Sequence, residues 1–323
     1  MRRFGLLIFA VGLAAVALVA FNFVSGWTAT GPLAADRTIS VPVGATLRSV
    51  ARDLKTQGVL RSADAFVTRA RIFGGSAPIR AGEYLVPRGA SNRDILAILQ
   101  GGRVINHLIT IPEGMPSVLI YERLLGEPEL TGTVTVPLEG SVLPDSYAYQ
   151  KGESRAAVLA RMQAAMTRYI THAWPKRAGT AVVKTPQEAI ILASIVEKET
   201  AVAAERPIVA GVYGNRLRRG IMLQADPTII YPITKGKPLG RRILKSEIGA
   251  VNGYNTYAMT GLPMGPIANP GRTAIDAVLN PAQTKALYFV ADGKGGHIFS
   301  DTLQQQNENV RKWFEIRRQR GEL

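Results

Sequence analysis

The apolar positions of this chain begin as one unbroken run and then break into short, punctuated periods. Met1-Arg2-Arg3 precedes an uncharged stretch from Phe4 to Val24 that closes near Trp27. A run of that length predicts a helix able to cross a bilayer. The two arginines favour a cytoplasmic N-terminus, and Trp27 suits the opposite interface. A cleaved signal peptide is the alternative, kept open by the alanine-rich residues 29–35. The expected layout is an anchor over residues 1–27, a Pro/Gly/Ala-containing linker over 28–37, and all that follows outside the cytoplasm.

Beyond the linker one local pattern occurs three times. Val41-Pro42-Val43-Gly44-Ala45-Thr46 leads into an apolar period at 47–54. Val86-Pro87-Arg88-Gly89-Ala90-Ser91 leads into one at 95–99, and Ile111-Pro112-Glu113-Gly114-Met115-Pro116-Ser117 into one at 118–125. Each predicts a strand ending at Pro, a turn carrying Gly, and a helix capped by Thr46, Ser91 or Ser117. A further helical period at 63–73 closes on Gly74-Gly75. The order strand–helix–helix–strand–helix over residues 38–101 is a compact α+β module, assigned with its flank to a region 38–130. Its βααβ topology resembles LysM-like carbohydrate-binding domains; a structural spacer is the alternative.

Residues 131–323 read as a second, mixed α/β domain. Tyr147 and Tyr149 end a turn-rich segment and could stack on a sugar or cap a core edge. A helix is predicted at 155–173 from Ala157, Leu159, Met162, Met166 and Ile170. The next helix starts at Thr185-Pro186, with Glu188 placed for a capping box. On it Ile191, Leu192, Ile195 and Val202 share a face with Glu199, whereas Glu197 stands about 200° away by the 3.6-residue period. A carboxylate on an apolar stripe is desolvated, which raises its pKa and suits a general acid; a buried, paired structural carboxylate is the other reading. A helix at 206–218 follows, then Pro-, Gly- and Asn-punctuated segments at 222–228, 254–257 and 261–270 that read as ordered loops bearing amides, phenols and one carboxylate. A helix at 272–279, a hairpin turning at Asp292-Gly293-Lys294-Gly295-Gly296 and a polar terminal helix at 303–320 complete the chain. His297 in that hairpin could be a base or a structural residue.

Composition narrows the chemistry. The 323 residues hold no cysteine, which excludes disulfides, thiolate metal sites and a cysteine nucleophile. Three scattered histidines make a His-rich metal site a poor reading, and no metal or cofactor is expected. A net charge of +15 admits nucleic acid, anionic lipid or an acidic polymer. The expected topology places these charges across the membrane from DNA and RNA, so nucleic acid is the poorest of the three.

Several ordered motifs then meet one family. Ala193-Ser194-Ile195-Val196-Glu197-Lys198-Glu199-Thr200, Leu223-Gln224-Ala225-Asp226-Pro227-Thr228, Tyr254-Asn255-Thr256-Tyr257, Gly261-Leu262-Pro263 and the segment from Phe289 to His297 resemble the MltG/YceG-like endolytic murein transglycosylases. So do Ile111-Pro112-Glu113-Gly114 and Leu138-Glu139-Gly140 with Pro144-Asp145-Ser146-Tyr147; Ser141 and Val142 depart from the bulky residues the family commonly has there. The resemblance implies a periplasmic lytic-transglycosylase-like domain on the bacterial inner membrane. It implies cleavage of the β-1,4 bond from N-acetylmuramic acid to N-acetylglucosamine within nascent peptidoglycan strands, leaving 1,6-anhydro-muramyl ends near the cell-wall synthesis enzymes. Glu199 is then the catalytic acid, supported by the hydroxyl residue Thr200 after it. Gln224, Asp226, Asn255 and Tyr257 position substrate, Tyr254 less directly, and Glu197 is structural or supports the site from behind. A non-catalytic wall-binding scaffold and a hydrolytic muramidase are the competing readings.

Overall fold

The computed structural model describes residues 2–42 and 44–322, with side chains from Phe9 onward. Met1, Val43 of the first Pro–Gly turn and the side chains of Arg2 and Arg3, on which the orientation of the anchor rests, lie outside the described residues. The chain divides into two units. The first comprises residues 1–107 and 148–152, the second residues 108–147 and 153–323.

In the first unit, α1 (Arg2–Thr28) carries a segment, Phe9–Thr28, long and apolar enough to cross a membrane. Its side chains are largely bare, with Phe9 and Phe21 each 70 % exposed. The expected order follows: β1 (Arg37–Val41), α2 (Leu47–Thr56), α3 (Ala63–Phe73), β2 (Gly82–Val86) and α4 (Asn92–Gly101). β1 and β2 pair antiparallel with Ile39 opposite Tyr84, and both are buried with Leu54, Phe66, Ile95 and Leu99. Thr46 and Ser91 cap α2 and α4 by accepting from the third N–H of each helix, in reciprocal boxes with Ser49 and Asp94. Trp27, at the end of α1, is buried with its ring 5.8 Å from that of Phe73.

The second unit is mainly helical. Two short strands, β3 (His107–Thr110) and β4 (Ser146–Tyr149), pair with each other. The helices are α5 (Ser117–Gly126), α6 (Arg155–Ala173), α7 (Pro186–Glu199), α8 (Arg206–Arg218), α9 (Asp226–Thr234), α10 (Lys245–Ile248) and α11 (Arg272–Leu279). The antiparallel hairpin β5 (Tyr288–Ala291) and β6 (His297–Ser300) precedes α12 (Leu303–Gln319). α7 is the centre of this unit. Every residue from Ala189 to Val196 is buried, so the helix is covered all round rather than along one stripe, and it packs against α8 and α11. Buried Ser194 fastens it to the long loop after α10: its hydroxyl donates to the Ile191 carbonyl at 2.7 Å and accepts the Ile267 N–H at 3.0 Å.

Four local expectations are corrected. Ser117 is the first residue of α5 rather than its cap; its hydroxyl donates instead to Leu138 O and the Glu139 carboxylate. Thr185 caps α7 as expected, but Glu188 reaches back to the Lys184 N–H, one residue before the cap. On α6, Val158 takes the core position assigned to Ala157, which is exposed. Asp226-Pro227-Thr228 opens α9 instead of continuing a loop, since proline in the first turn costs no hydrogen bond. Of the two tyrosines expected to stack or cap, Tyr149 is buried in the first unit with its ring 5.5 Å from that of His107, and Tyr147 is half-buried with its hydroxyl donating to Leu143 O at 2.6 Å.

Gly140 marks where the second unit tolerates no side chain. Its φ is +75°, and a Cβ there would lie 2.7 Å from both Ile190 Cγ2 and Pro266 Cγ. Gly140→Ala is expected to lower stability by about 1–3 kcal/mol, read as a fall in thermal midpoint, through left-handed strain and overpacking together.

Candidate active site

α7 ends at Glu199 because Thr200 is extended (φ −138°, ψ 132°). Val202 therefore leaves the helical face it was assigned to, and Glu199 meets Tyr213 and Arg216 of α8 at the end of its own helix. The Thr200 hydroxyl is occupied in shaping this exit: it donates to Glu205 Oε2 at 2.9 Å and accepts the Val202 N–H at 3.0 Å. Glu205 also receives the N–H and ring Nδ1 of His297, each at 2.7 Å, which makes His297 a brace of the hairpin.

The two glutamates at the end of α7 have opposite surroundings. Both Glu197 oxygens are engaged, Oε1 by Arg206 Nη2 at 2.7 Å and Oε2 by the Gly271 N–H at 2.9 Å. Arg206 reaches on to Glu113 Oε2 at 3.2 Å and to the Thr273 hydroxyl, so Glu197 belongs to a buried ion-pair network. Burial raises its pKa, and the Gly271 N–H and the Arg206 charge work against that rise. Glu199 Oε1, in contrast, is buried without a hydrogen-bond partner. Burial pushes the Glu199 carboxyl up to about 7; the Tyr213 hydroxyl opposes the rise, Asp226 adds to it by like-charge repulsion, and Arg216 opposes it.

Asp226 and Tyr257 meet in front of this acid. The Tyr257 hydroxyl donates to Asp226 Oδ1 at 2.6 Å, and Tyr257 lies near enough to Glu199 to feel its charge. Gln224 is presented on a strained backbone: φ is +52°, a left-handed conformation uncommon outside glycine and a recurrent mark of functional loops. Its N–H donates to Thr256 O at 3.1 Å. Buried Thr228 and Thr256 stitch the two loops together, their hydroxyls 2.9 Å apart and the Thr256 hydroxyl accepting the Ala225 N–H. This locked pair of loops holds Gln224, Asp226 and Tyr257 with low entropy to lose on binding.

Asn255 does not line the site. It is fully buried, its amide nitrogen donates to the carbonyls of Ile248 and Ala250 at 2.9 and 2.7 Å, and its Oδ1 accepts the Tyr257 N–H at 2.9 Å. No polar atom is left for a ligand, so it sets where Tyr257 stands. Tyr254 is half-buried against Tyr231, ring centroids 4.8 Å apart.

Two residues in the site were not named from the sequence as part of it. Tyr213 and Arg216 come from one face of α8, on which Val209, Tyr213 and Arg216 follow at i, i+4 and i+7. Arginine on such a face was the available signal. Arg216 is buried, donates to the carbonyls of Leu287 and Leu223 at 2.6 and 2.9 Å, reaches Gln224 Oε1 at 3.3 Å, and has its guanidinium 5.1 Å from the Tyr288 ring centroid. It thus ties the strained loop to the acid's surroundings.

A desolvated carboxyl with its pKa raised to about 7 thus stands with an Asp–Tyr pair and an exposed amide, in a mixed α/β frame that carries an apolar N-terminal helix. Residues 39–312 match the YceG-like family, and the chain belongs to that family. It is 28 % identical over 311 residues to a Bacillus subtilis protein named endolytic murein transglycosylase, covering 85 % of this chain and 84 % of that one. A Streptococcus pneumoniae protein of the same name is 25 % identical over 319 residues; the match takes in 84 % of this chain and 57 % of that longer relative. The fold is similar to that of a yceG-like protein from Listeria monocytogenes, with a TM-score of 0.54 at 24 % identity over 84 % of this chain and 98 % of that one.

Proposed function

We propose that this chain is an endolytic peptidoglycan transglycosylase, a lyase that cuts the β-1,4 bond from N-acetylmuramic acid to N-acetylglucosamine within glycan strands. The observation that carries the reading is Glu199: one buried, unpartnered carboxyl oxygen on an acid that is half-protonated near neutrality. Its proton passes to the glycosidic oxygen as the C1–O bond breaks, and N-acetylglucosamine leaves with a free 4-hydroxyl. The muramyl 6-hydroxyl then attacks C1, its proton returns to Glu199, and the 1,6-anhydro ring closes without water. One acid suffices, consistent with Glu197 being spent on Arg206. Gln224, Asp226 and Tyr257 hold the sugars, with Asn255 behind Tyr257. The shared name of the curated relatives supports the same assignment.

The apolar N-terminal helix supports a single-pass anchor in the inner membrane, with the N-terminus cytoplasmic and the body periplasmic, close to cell-wall synthesis enzymes. The order of β1 to α4 supports a LysM-like module between anchor and catalytic domain.

Asp226 favours one competing reading, because a second carboxylate beside the acid could activate water and give a muramidase. Mass spectrometry of strands digested by the purified protein decides: anhydro-muramyl ends support the lyase, and reducing ends alone overturn it. Intact strands with both wild type and Glu199→Gln would indicate a scaffold.

The pH profile follows from the acid. Because Glu199 must be protonated to start the reaction, kcat/KM is expected to fall as pH rises through about 7. Asp226→Asn removes the repulsion that helps to hold the proton on Glu199, so this limb should move to lower pH. An unmoved limb in that variant would remove Asp226 from the acid's electrostatic surroundings.

A further inference from the structure

A cleft of about 480 Å³ is lined by chain neighbours of Glu199 and Asp226, and the mechanism makes no use of it. One wall is the Ile111-Pro112-Glu113-Gly114 motif running into α5, with Met115 and Leu119. The other is α9 and the turn after it, with Pro227, Ile230 and Leu239. The cleft touches the site at two points of the chain: Lys198 precedes Glu199, and Pro227 follows Asp226. Its walls are fixed in advance. Lys237 Nζ pairs with Glu122 Oε1 at 2.6 Å, clipping the turn onto α5, and Gly236 lies so close to Pro116 that a Cβ there would come within 2.7 Å of Pro116 Cβ.

The lining is chiefly aliphatic and proline, with three charged groups: Lys237 paired with Glu122, Glu113 paired with Arg206, and the ammonium of Lys198. That chemistry suits neither a sugar, whose hydroxyls would lose water without partners, nor a wholly apolar chain. It suits a short peptide of small apolar side chains bearing carboxylates. The volume falls within the usual range for a ligand pocket. Exposed Lys198 has no ion-pair partner among the described residues. The muramyl residue of peptidoglycan carries such a peptide on its lactyl ether. We propose that this cleft binds the stem peptide of the muramyl residue at the cleavage site, making the enzyme selective for peptide-bearing strands. The proposal rests on the lyase reading for its substrate.

The test compares full-length protein in detergent on peptide-bearing strands and on strands stripped of peptide by an amidase, counting anhydro-muramyl ends. Peptide-bearing strands are expected to show a KM at least about tenfold lower. Leu119→Asp, which sets a carboxylate against the peptide's own, and Lys198→Gln should each raise that KM toward the value for stripped strands. Activity on stripped strands should stay within about twofold of wild type, which also shows that the variants fold. Equal KM values for the two substrates in wild type, or variants that impair both substrates alike, would overturn the proposal. Binding of both strand types to Glu199→Gln is measured in parallel. If no anhydro ends form from either substrate the lyase reading fails, and preference of that variant for peptide-bearing strands still decides the cleft.

Discussion

Glu199→Gln is expected to lower kcat by about a hundredfold to ten-thousandfold, the span general-acid groups supply, while the protein becomes more stable in mild alkali. The two halves have one cause. The carboxyl is held at about 7, against an ordinary glutamate value of 4.5, because its charged form is buried with an unpartnered oxygen and faces Asp226. A folded-state pKa above the unfolded one contributes stability that is complete below the unfolded value and disappears as pH rises through the folded value. Between those limits the native protein loses up to about 3 kcal/mol at this residue, at 1.36 kcal/mol per pKa unit. Glutamine cannot ionise, so its stability curve should lack that descent: wild type and variant should be similar near pH 4.5 and separate by pH 8, with the variant ahead. Denaturant midpoints at the two pH values, read beside anhydro-muramyl yields, check both halves. An inactive variant whose stability follows wild type at every pH would place the charge of Glu199 in solvent and remove the basis for its role as acid.

Much of this frame was legible because it is written locally. The ends of α3, α6, α8 and α11 fall where apolar spacing and the flanking Ser, Thr, Gly and Pro residues put them. The separation of the two glutamates by helical phase also reflects local geometry, although the stripe invoked for Glu199 ended early: α7 stops at Glu199, and Tyr213 of α8 meets that carboxyl from outside the helix. What the sequence hid is what depends on distant backbone. Asn255 sits in a polar loop and offers an amide, the profile of a sugar-binding residue. Only the fold shows that the carbonyls of Ile248 and Ala250 consume it. Arg216 carried the reverse ambiguity, since a basic residue late in a helix ordinarily faces water or the helix dipole. Asp226 looked like a turn because Asp-Pro has that habit, and α9 begins there without a side-chain cap on Ala225.

Glu197→Ala should show the opposite signature to Glu199→Gln, with stability lost and chemistry kept. The Arg206 side chain is 9 % exposed and meets Glu197 at 2.7 Å, while its other terminal nitrogen is shared between Glu113 and Thr273. Truncating Glu197 leaves that guanidinium buried with only a more exposed carboxylate 3.2 Å away, and also leaves the Gly271 N–H without its acceptor. Breaking a buried pair in this way costs about 3–5 kcal/mol. The loss reaches the loop before α11, which Glu197 and Ser194 together hold to α7. Glu197→Gln has one acceptor oxygen for two donors, so it can serve the Gly271 N–H or Arg206 but not both; it too should lose stability, though less than Glu197→Ala. For both variants, kcat per folded molecule well below the melting range should stay within about tenfold of wild type, because nothing that touches the glycosidic oxygen has been removed. Thermal unfolding and active-fraction kinetics on the two glutamates therefore form a crossed test. Activity abolished in a fully folded Glu197→Gln, with Glu199→Gln still cutting strands, would exchange the roles assigned to them. In the proposed mechanism the end of α7 separates two duties that two neighbouring carboxylates could each have filled: one paired to hold the loop, the other with an oxygen left unpartnered so that it can carry a proton.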